Sequence, residues 1–337
     1  MTEKYPRMTD YYSSLISIEK LFQAWEEFKK GKRAKRDVQI LERHLEDNIF
    51  DLYKRLRAKT YKHGTYSEFY VNDPKRRHIH KACVQDRIVH HLLYKYLYEL
   101  FDRSFIHDSY SCRKEKGTHK AVTRLERFTK IVSRNYSRDC WALKLDIKSF
   151  FASIDHKILK KLISQKVKDE DILWLVNQVI DSFQSDRGNG KGIPLGNLTS
   201  QIFANIYLNE LDQFVKHSLK IEYYLRYADD FIILNSDLSA LLRCFKTVKQ
   251  FLTDNLALQI HPQKIHIRKL TWGIDFCGYV VLPHCRLTRA KTKKRIIRKI
   301  VNGKVSHQGF QSHLGYFKHA NSYKISLQIK NLFFLNS

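Results

Sequence analysis

Apolar positions along this chain fall into helical spacing in some stretches and into short continuous runs in others. Ile18, Leu21, Phe22, Trp25 and Phe28 recur three and four apart until Gly31, which predicts an amphipathic helix. After a basic connector at 29–36, Val38, Leu41, Leu45, Ile49, Leu52 and Leu56 predict a second one. Tyr66 to Val71 reads as a strand, Asn72-Asp73-Pro74 turns it, and Lys75-Arg76-Arg77-His78-Ile79-His80 returns. A helix over 86–100 follows, with Ile88, Leu92, Tyr96 and Leu100 on one face. Asp155 has the look of an N-cap for a helix over 156–167, and another helix spans 171–183. Thr199-Ser200-Gln201 opens a helix, and 238–256 forms one more. Strands are expected at 258–261, 264–269 and 274–281. A basic helix-like run from Arg286 to Ile300 and a small helical lobe over 306–337 close the chain.

Two apolar runs are interrupted by acids. Tyr224-Leu225-Arg226-Tyr227 and Phe231-Ile232-Ile233-Leu234 flank Asp229-Asp230, which predicts a β-hairpin with carboxylates at its turn. Alone, such a pair reads as a solvated turn, since Asp is a common turn residue. A matching run, Ala142-Leu143-Lys144-Leu145, ends in Asp146. Strands that deliver three carboxylates to one point create repulsion that hard divalent ions such as Mg2+ relieve. That donor set suits two-metal phosphoryl chemistry.

Charge sharpens the picture. The 337 residues carry 61 Lys plus Arg against 34 Asp plus Glu, a formal charge of +27, which points to a polyanionic partner. Nucleic acid is the first candidate and an anionic membrane surface the rival. No apolar run reaches the ~18 residues of a spanning helix, and the N-terminus has no leader-like apolar core. The six cysteines are irregularly spaced without a Cys-x-x-Cys pair, which predicts reduced thiols and a cytoplasmic setting. With 5 Pro and 12 Gly, long linkers are not expected. The densest glycine segment is Gly188-Asn189-Gly190-Lys191-Gly192-Ile193-Pro194-Leu195-Gly196, where backbone can approach a ligand closely.

In this order the motifs resemble those of a reverse transcriptase, from about residue 66 to the C-terminus. Asp146 matches the first palm motif, Gly192-Ile193-Pro194-Leu195-Gly196 the second and Asp229-Asp230 the third. Lys264 stands where the family has a palm lysine, and Phe276-Cys277-Gly278-Tyr279 resembles the primer grip. Most of the family carries Gln before the second-motif glycine and Ser-Pro after it. Here Leu195-Gly196 and Ser200-Gln201 stand instead, as in the reverse transcriptases of diversity-generating retroelements. Asp73-Pro74-Lys75-Arg76-Arg77, Gln85-Asp86-Arg87 and Ser109-Tyr110-Ser111-Cys112-Arg113 carry the same resemblance. Group II intron and retron enzymes are the nearest alternatives, and a non-catalytic RNA-binding scaffold of the same fold is a third.

The resemblance implies an α+β right hand of fingers, palm and thumb, the palm a small antiparallel sheet backed by helices. It divides the chain into an N-terminal helical extension at 1–60, fingers at 61–138, a palm at 139–285 with a fingers insertion at about 157–190, and a short helical thumb at 286–337. It implies copying of template RNA into DNA from dNTPs, with frequent errors opposite template adenines, and a small helical accessory protein oligomer as partner. Asp146, Asp229, Asp230 and the Ile147 carbonyl would ligate two Mg2+ ions, for which Mn2+ can substitute. Lys264 would protonate the leaving pyrophosphate. Phe151, five residues after Asp146, sits at the steric-gate position. Arg76, Arg77 and Arg113 are candidates for the triphosphate, with Leu195 and Gly196 lining the nucleotide. Tyr227, Phe276, Cys277, Gly278 and Tyr279 would hold the primer end, and Arg289, Lys293 and Lys294 the RNA/DNA hybrid.

Overall fold

The computed structural model describes residues 10–73 and 75–335; Pro74 of the expected turn and the two ends of the chain lie outside the described residues. In chain order the elements are α1 (Asp10–Leu15), α2 (Ile18–Lys29), α3 (Arg36–Arg43), α4 (Leu45–Arg57), β1 (Ser67–Val71), β2 (Arg77–Lys81), α5 (Val84–Phe101), α6 (Thr118–Val132) and β3 (Trp141–Asp146). They continue with α7 (Phe150–Ser153), α8 (His156–Ser164), α9 (Glu170–Asp181), α10 (Leu198–Gln213), β4 (Tyr224–Tyr227), β5 (Asp230–Asn235) and α11 (Leu238–Leu256). The last are β6 (His266–Lys269), β7 (Ile274–Phe276), β8 (Tyr279–Leu282), β9 (Cys285–Thr288), α12 (Ala290–Val301), α13 (His307–Lys318) and α14 (Tyr323–Leu335). The mixture of helices with small antiparallel sheets is the expected α+β class.

The chain divides into two compact units, residues 1–106, 148–212 and 251–259 in the first, and 107–147, 213–250 and 260–337 in the second. The first is mostly helical. Ser17 caps α2 by accepting from the Lys20 amide at 3.3 Å, and the helix buries Leu21, Ala24, Trp25 and Phe28. The single helix expected over 38–56 is instead two, broken at His44. Asn48 makes the break tolerable, because its side-chain amide donates to the Leu41 and His44 carbonyls at 3.2 and 2.7 Å. Asp155 is the expected N-cap of α8, accepting from the Lys157 and Ile158 amides at 2.9 and 3.2 Å. β1 and β2 pair as an isolated antiparallel ribbon, with Glu68 opposite His80 and Val71 opposite Arg77.

The second unit holds a four-stranded antiparallel sheet in the order β4-β5-β3-β6 and a three-stranded sheet β7-β8-β9. Ala142, Leu225, Ile232 and Leu234 of the larger sheet pack with Ala121, Val122, Leu125 and Phe128 of α6 and with Ile274, Phe276, Tyr279 and Val281 of the smaller one. Ile296, Ile300, Phe310, Phe317, Ile325 and Ile329 form a separate core among α12, α13 and α14.

Two strand expectations and one helix expectation need correction. Residues 258–261 form no strand; Ile260 makes a single bridge to Ile147, and Pro262, which has no N–H for a ladder, opens a tight turn through Lys264. The expected strand at 274–281 is a hairpin, because Cys277 and Gly278 take φ of +47° and +89° and form a two-residue turn. The basic run from Arg286 starts as strand β9 paired to β8, and becomes helical only at Ala290.

Candidate active site

The predicted acid hairpin is present, and its acids occupy two different settings. Tyr227 pairs with Asp230, which leaves Ala228-Asp229 as the turn between β4 and β5. Ala228 takes φ +54°, a region that a Cβ disfavours. Two hydrogen bonds hold this turn. The Ile147 amide donates to the Asp229 carbonyl at 3.3 Å, and the guanidinium of Arg226, itself fully buried, donates to the Ala228 carbonyl at 3.1 Å. Asp146 closes β3 directly opposite Asp230 in the ladder, so the two side chains leave the sheet on one face.

Lysines neutralise these acids in the structure. Lys264 Nζ lies 2.7 Å from Asp146 Oδ1. Lys144 lies two residues before Asp146 and therefore on the same face of β3. Its Nζ lies 3.0 Å from Asp230 Oδ2 and donates to the Asp275 carbonyl at 3.0 Å. The Asp230 side chain is 24% exposed, yet its Oδ1 is buried without a hydrogen-bond partner. Burial pushes the Asp230 carboxyl up to about 6; Lys144 pulls against that shift, and the charges of Asp146 and Asp229 add to it. An orphaned, buried carboxylate oxygen beside two further carboxylates is a hard, all-oxygen donor set of the kind Mg2+ and Mn2+ take. The residues fit the metal that the motif order implies.

The nucleotide candidates lie mostly in the first unit. Phe150 is 2% exposed and packs edge-on against Phe151, which is itself only partly buried. Core packing here is thus the work of Phe150. The Leu195 carbonyl accepts from the His80 amide at 3.0 Å. Gly196 takes φ +115°, and a Cβ there would lie 2.7 Å from Ile79 Cγ2. Asn197, fully enclosed beside it, donates to the His80 carbonyl at 2.7 Å and accepts from the Ala82 amide at 3.2 Å. The glycine-rich motif is therefore stapled to β2. Arg76 and Arg77 are exposed on the same hairpin, Arg76 lying 4.1 Å over the Tyr70 ring. Arg113 belongs to the second unit and donates to the Ser109 carbonyl at 3.2 Å.

The primer-side candidates gather in the second unit. Tyr227 accepts from the Thr118 hydroxyl at 3.2 Å. Phe276 is buried, and the Cys277-Gly278 turn is bound by α13, whose Tyr316 hydroxyl donates to the Gly278 carbonyl. Tyr279 returns the bond, its hydroxyl donating to the Tyr316 carbonyl at 3.0 Å, with the two rings stacked at 4.9 Å. Burial, and the negative charge of Asp230 after it, push the Cys277 thiol up, so the turn borders the acid site. Lys293 and Lys294 are exposed on α12. Arg289 is not grouped with them, since it forms an ion pair with Asp275 and its amide donates to the Gly278 carbonyl at 3.0 Å.

The reverse transcriptase (RNA-dependent DNA polymerase) family profile matches residues 70–281, well over half of the chain. The chain belongs to the reverse transcriptase family. Among curated proteins it is similar to the group II intron-encoded protein LtrA of Lactococcus lactis subsp. cremoris, at 24% identity over 77% of this chain and 54% of that protein. Protein YkfC of Escherichia coli is 22% identical over 61% of this chain and 63% of its own length. The chain thus spans about half to two thirds of these relatives. Telomerase structures share the fold: that of Candida albicans, in complex with a telomeric RNA fragment, covers 88% of this chain and 65% of its own at TM-score 0.52 and 12% identity. Apo telomerase from Candida tropicalis covers 82% and 58% at TM-score 0.53 and 14% identity.

Several residues that hold the candidate positions in the two units escape motif reasoning. Lys144 had a usable signal, a cation at even spacing from Asp146 on an otherwise apolar strand. Arg226 had one too, since a charge inside a buried strand must have partners. Asn197 and Tyr316 had none, because their roles depend on backbone groups far away in sequence.

Proposed function

We propose that this chain is an RNA-directed DNA polymerase that copies a template RNA into mutagenised cDNA for a diversity-generating retroelement. The observation that carries the polymerase reading is Asp146 facing Asp230 across the ladder, with Asp229 in the clamped turn and one carboxylate oxygen buried and unpartnered. Asp146, Asp229 and the Ile147 carbonyl would hold a divalent ion, with Asp230 as a further ligand. Bound Mg2+, or Mn2+ in its place, supplies Lewis-acid stabilisation of charge on the transferring phosphate and activation of the primer hydroxyl.

The chain's own residues do the rest. Lys264 holds a proton beside Asp146 that can pass to the leaving pyrophosphate oxygen. Phe151 closes the space that a ribose 2′-hydroxyl needs. Arg76, Arg77 and Arg113 neutralise the triphosphate, while Tyr227 and the turn from Phe276 to Tyr279 position the primer. Lys293 and Lys294 serve the RNA/DNA hybrid, while Arg289 of the same segment is taken up by its ion pair with Asp275; their region is the thumb, with the fingers at 61–138 and the palm at 139–285. Leu195 packs against the nucleotide without a hydrogen bond, whereas a Gln could fix its pose; this supports error-prone synthesis. The retroelement reading rests on Leu195-Gly196 with Ser200-Gln201, and it brings a small helical accessory oligomer as partner in the cytoplasm. The similarity to LtrA favours a group II intron-type enzyme as the second reading.

Primer extension on an RNA template tests the polymerase. Asp146→Ala or Asp229→Ala should lower synthesis by about 10³-fold or more, since several kcal/mol of charge stabilisation is lost, with RNA affinity largely kept. Near-parental extension by Asp146→Ala would overturn the assignment. Misincorporation concentrated opposite template adenines would favour the retroelement over the intron enzyme, and an even error spectrum the reverse.

A further inference from the structure

The hairpin of β1 and β2 carries a cluster that the polymerase reading does not use. His78 and His80 are two residues apart on β2 and project from one face. Glu68 stands directly opposite His80 in the ladder, so its carboxylate shares that face. The two carboxylate oxygens serve different rings, one 3.0 Å from His78 Nε2 and the other 3.7 Å from His80 Nε2. One ligand atom from each of the three side chains lies within 4.8 Å of the other two. Metal bonds of about 2.0–2.1 Å in a tetrahedron set ligands roughly 3.3 Å apart, so a set lying within 4.8 Å closes on an ion with a small adjustment of side chains that are at least partly exposed.

Both rings are held in place by other aromatics. His78 stacks on Tyr70 at 4.6 Å and 9°, and His80 meets the Phe183 ring edge-on at 4.7 Å. His80 Nε2 faces Glu68 and is the ring nitrogen open to a metal, while the buried Nδ1, which has no partner, would carry the ring proton. Two imidazoles and one carboxylate form a donor set that suits Zn2+ and its neighbours and not Mg2+, which takes oxygen ligands. The site is therefore chemically distinct from the all-oxygen aspartate set.

We propose that Glu68, His78 and His80 form a Zn2+ site with an open coordination position. A two-stranded ribbon is marginal by itself in water, and a metal bridging its strands adds a cross-link that the ladder lacks. The strand it fixes is the one that grips the glycine-rich motif: the His80 amide holds the Leu195 carbonyl, and the His80 carbonyl takes the Asn197 amide. Zn2+ on this hairpin thus steadies the backbone of Leu195 and Gly196 from outside the polymerase centre.

The test titrates Zn2+ into the chelator-stripped full chain in competition with a chromophoric chelator, for the parent, His78→Ala, Glu68→Gln and Asp146→Ala. The parent and Asp146→Ala should each hold one equivalent that His78→Ala and Glu68→Gln bind at least ~10-fold more weakly. Co2+ in place of Zn2+ should give visible absorption bands in the parent that His78→Ala lacks. Zn2+ should raise the melting temperature of the parent and not that of either hairpin variant, with all metal-free forms melting together. The same stoichiometry and affinity in parent and hairpin variants would overturn the proposal, as would a parent that takes no Zn2+ from the chelator. In either case Glu68, His78 and His80 would be a surface ion pair with an extra histidine.

Discussion

Two hairpins of this protein do opposite work on opposite scaffolds. The β4–β5 hairpin is built into a four-stranded sheet, with β5 flanked on both sides and its strand interior buried from Phe231 to Leu234. The β1–β2 hairpin is a ribbon of two strands, with every residue of β1 exposed. One presents carboxylates and the other presents Arg76 and Arg77. Metal ligands need placement to a fraction of an ångström, and a central strand supplies it. In the proposed role of Arg76 and Arg77, cations that met a flexible triphosphate would need reach more than rigidity, and an exposed ribbon would suffice for them. The ribbon is fixed where precision returns, at its base, by Asn197 and the Leu195 carbonyl.

If that contrast holds, the acid hairpin pays in stability and the basic one does not. The largest effect should come from Asp230. With its carboxyl raised from an ordinary 3.8 to about 6, the folded chain binds that proton more readily than the unfolded chain. Stability from this group is therefore full below about pH 4 and lost as pH rises through about 6. A shift of this size corresponds to roughly 3 kcal/mol. In chelator, the parent should lose melting temperature across that window relative to Asp230→Asn, which should be the more stable at neutral pH. Parallel melting curves for the two would remove the burial argument.

An intermediate effect is expected at the staple. Asn197→Ala leaves the His80 carbonyl and the Ala82 amide without their partner, at about 1–3 kcal/mol for a buried group left unmade. Hydrogen exchange should quicken in residues 77–82, with 141–146 and 230–235 still protected. Quickening of both hairpins together would break the distinction between them. Smallest of all should be Arg76→Ala and Arg77→Ala, within about 0.5 kcal/mol in stability because both side chains are exposed. Their signature should be a raised KM for dNTPs with melting unchanged, and a large drop in melting temperature would make them structural residues.

Much of this was legible in the chain itself. The acids of Asp146 and Asp229-Asp230 stand out because carboxylates interrupt apolar strands, and the helices were visible wherever one face is buried, as at Leu21, Trp25 and Phe28. Local backbone punctuation was harder to read. The break at His44 has no Gly or Pro to announce it and depends on an Asn four residues later. The split at Cys277 hides because Cys is an unusual occupant of a left-handed turn position. Partners distant in sequence, such as Lys144 with the Asp275 carbonyl, leave no periodic trace at all.

The reciprocal bonds between Tyr316 and the Cys277-Gly278 turn have a mechanical meaning. Gly278 accepts from the Tyr316 side chain, while Tyr279 donates to the Tyr316 backbone. Two bonds of opposite sense, with a stacked pair of rings between them, leave no slack between α13 and the turn. A tilt of α13 would have to break both bonds or carry the turn with it, since the two elements are tied at two points. Cys277 of that turn feels the charge of Asp230, so the tie between α13 and the turn ends beside the acid hairpin.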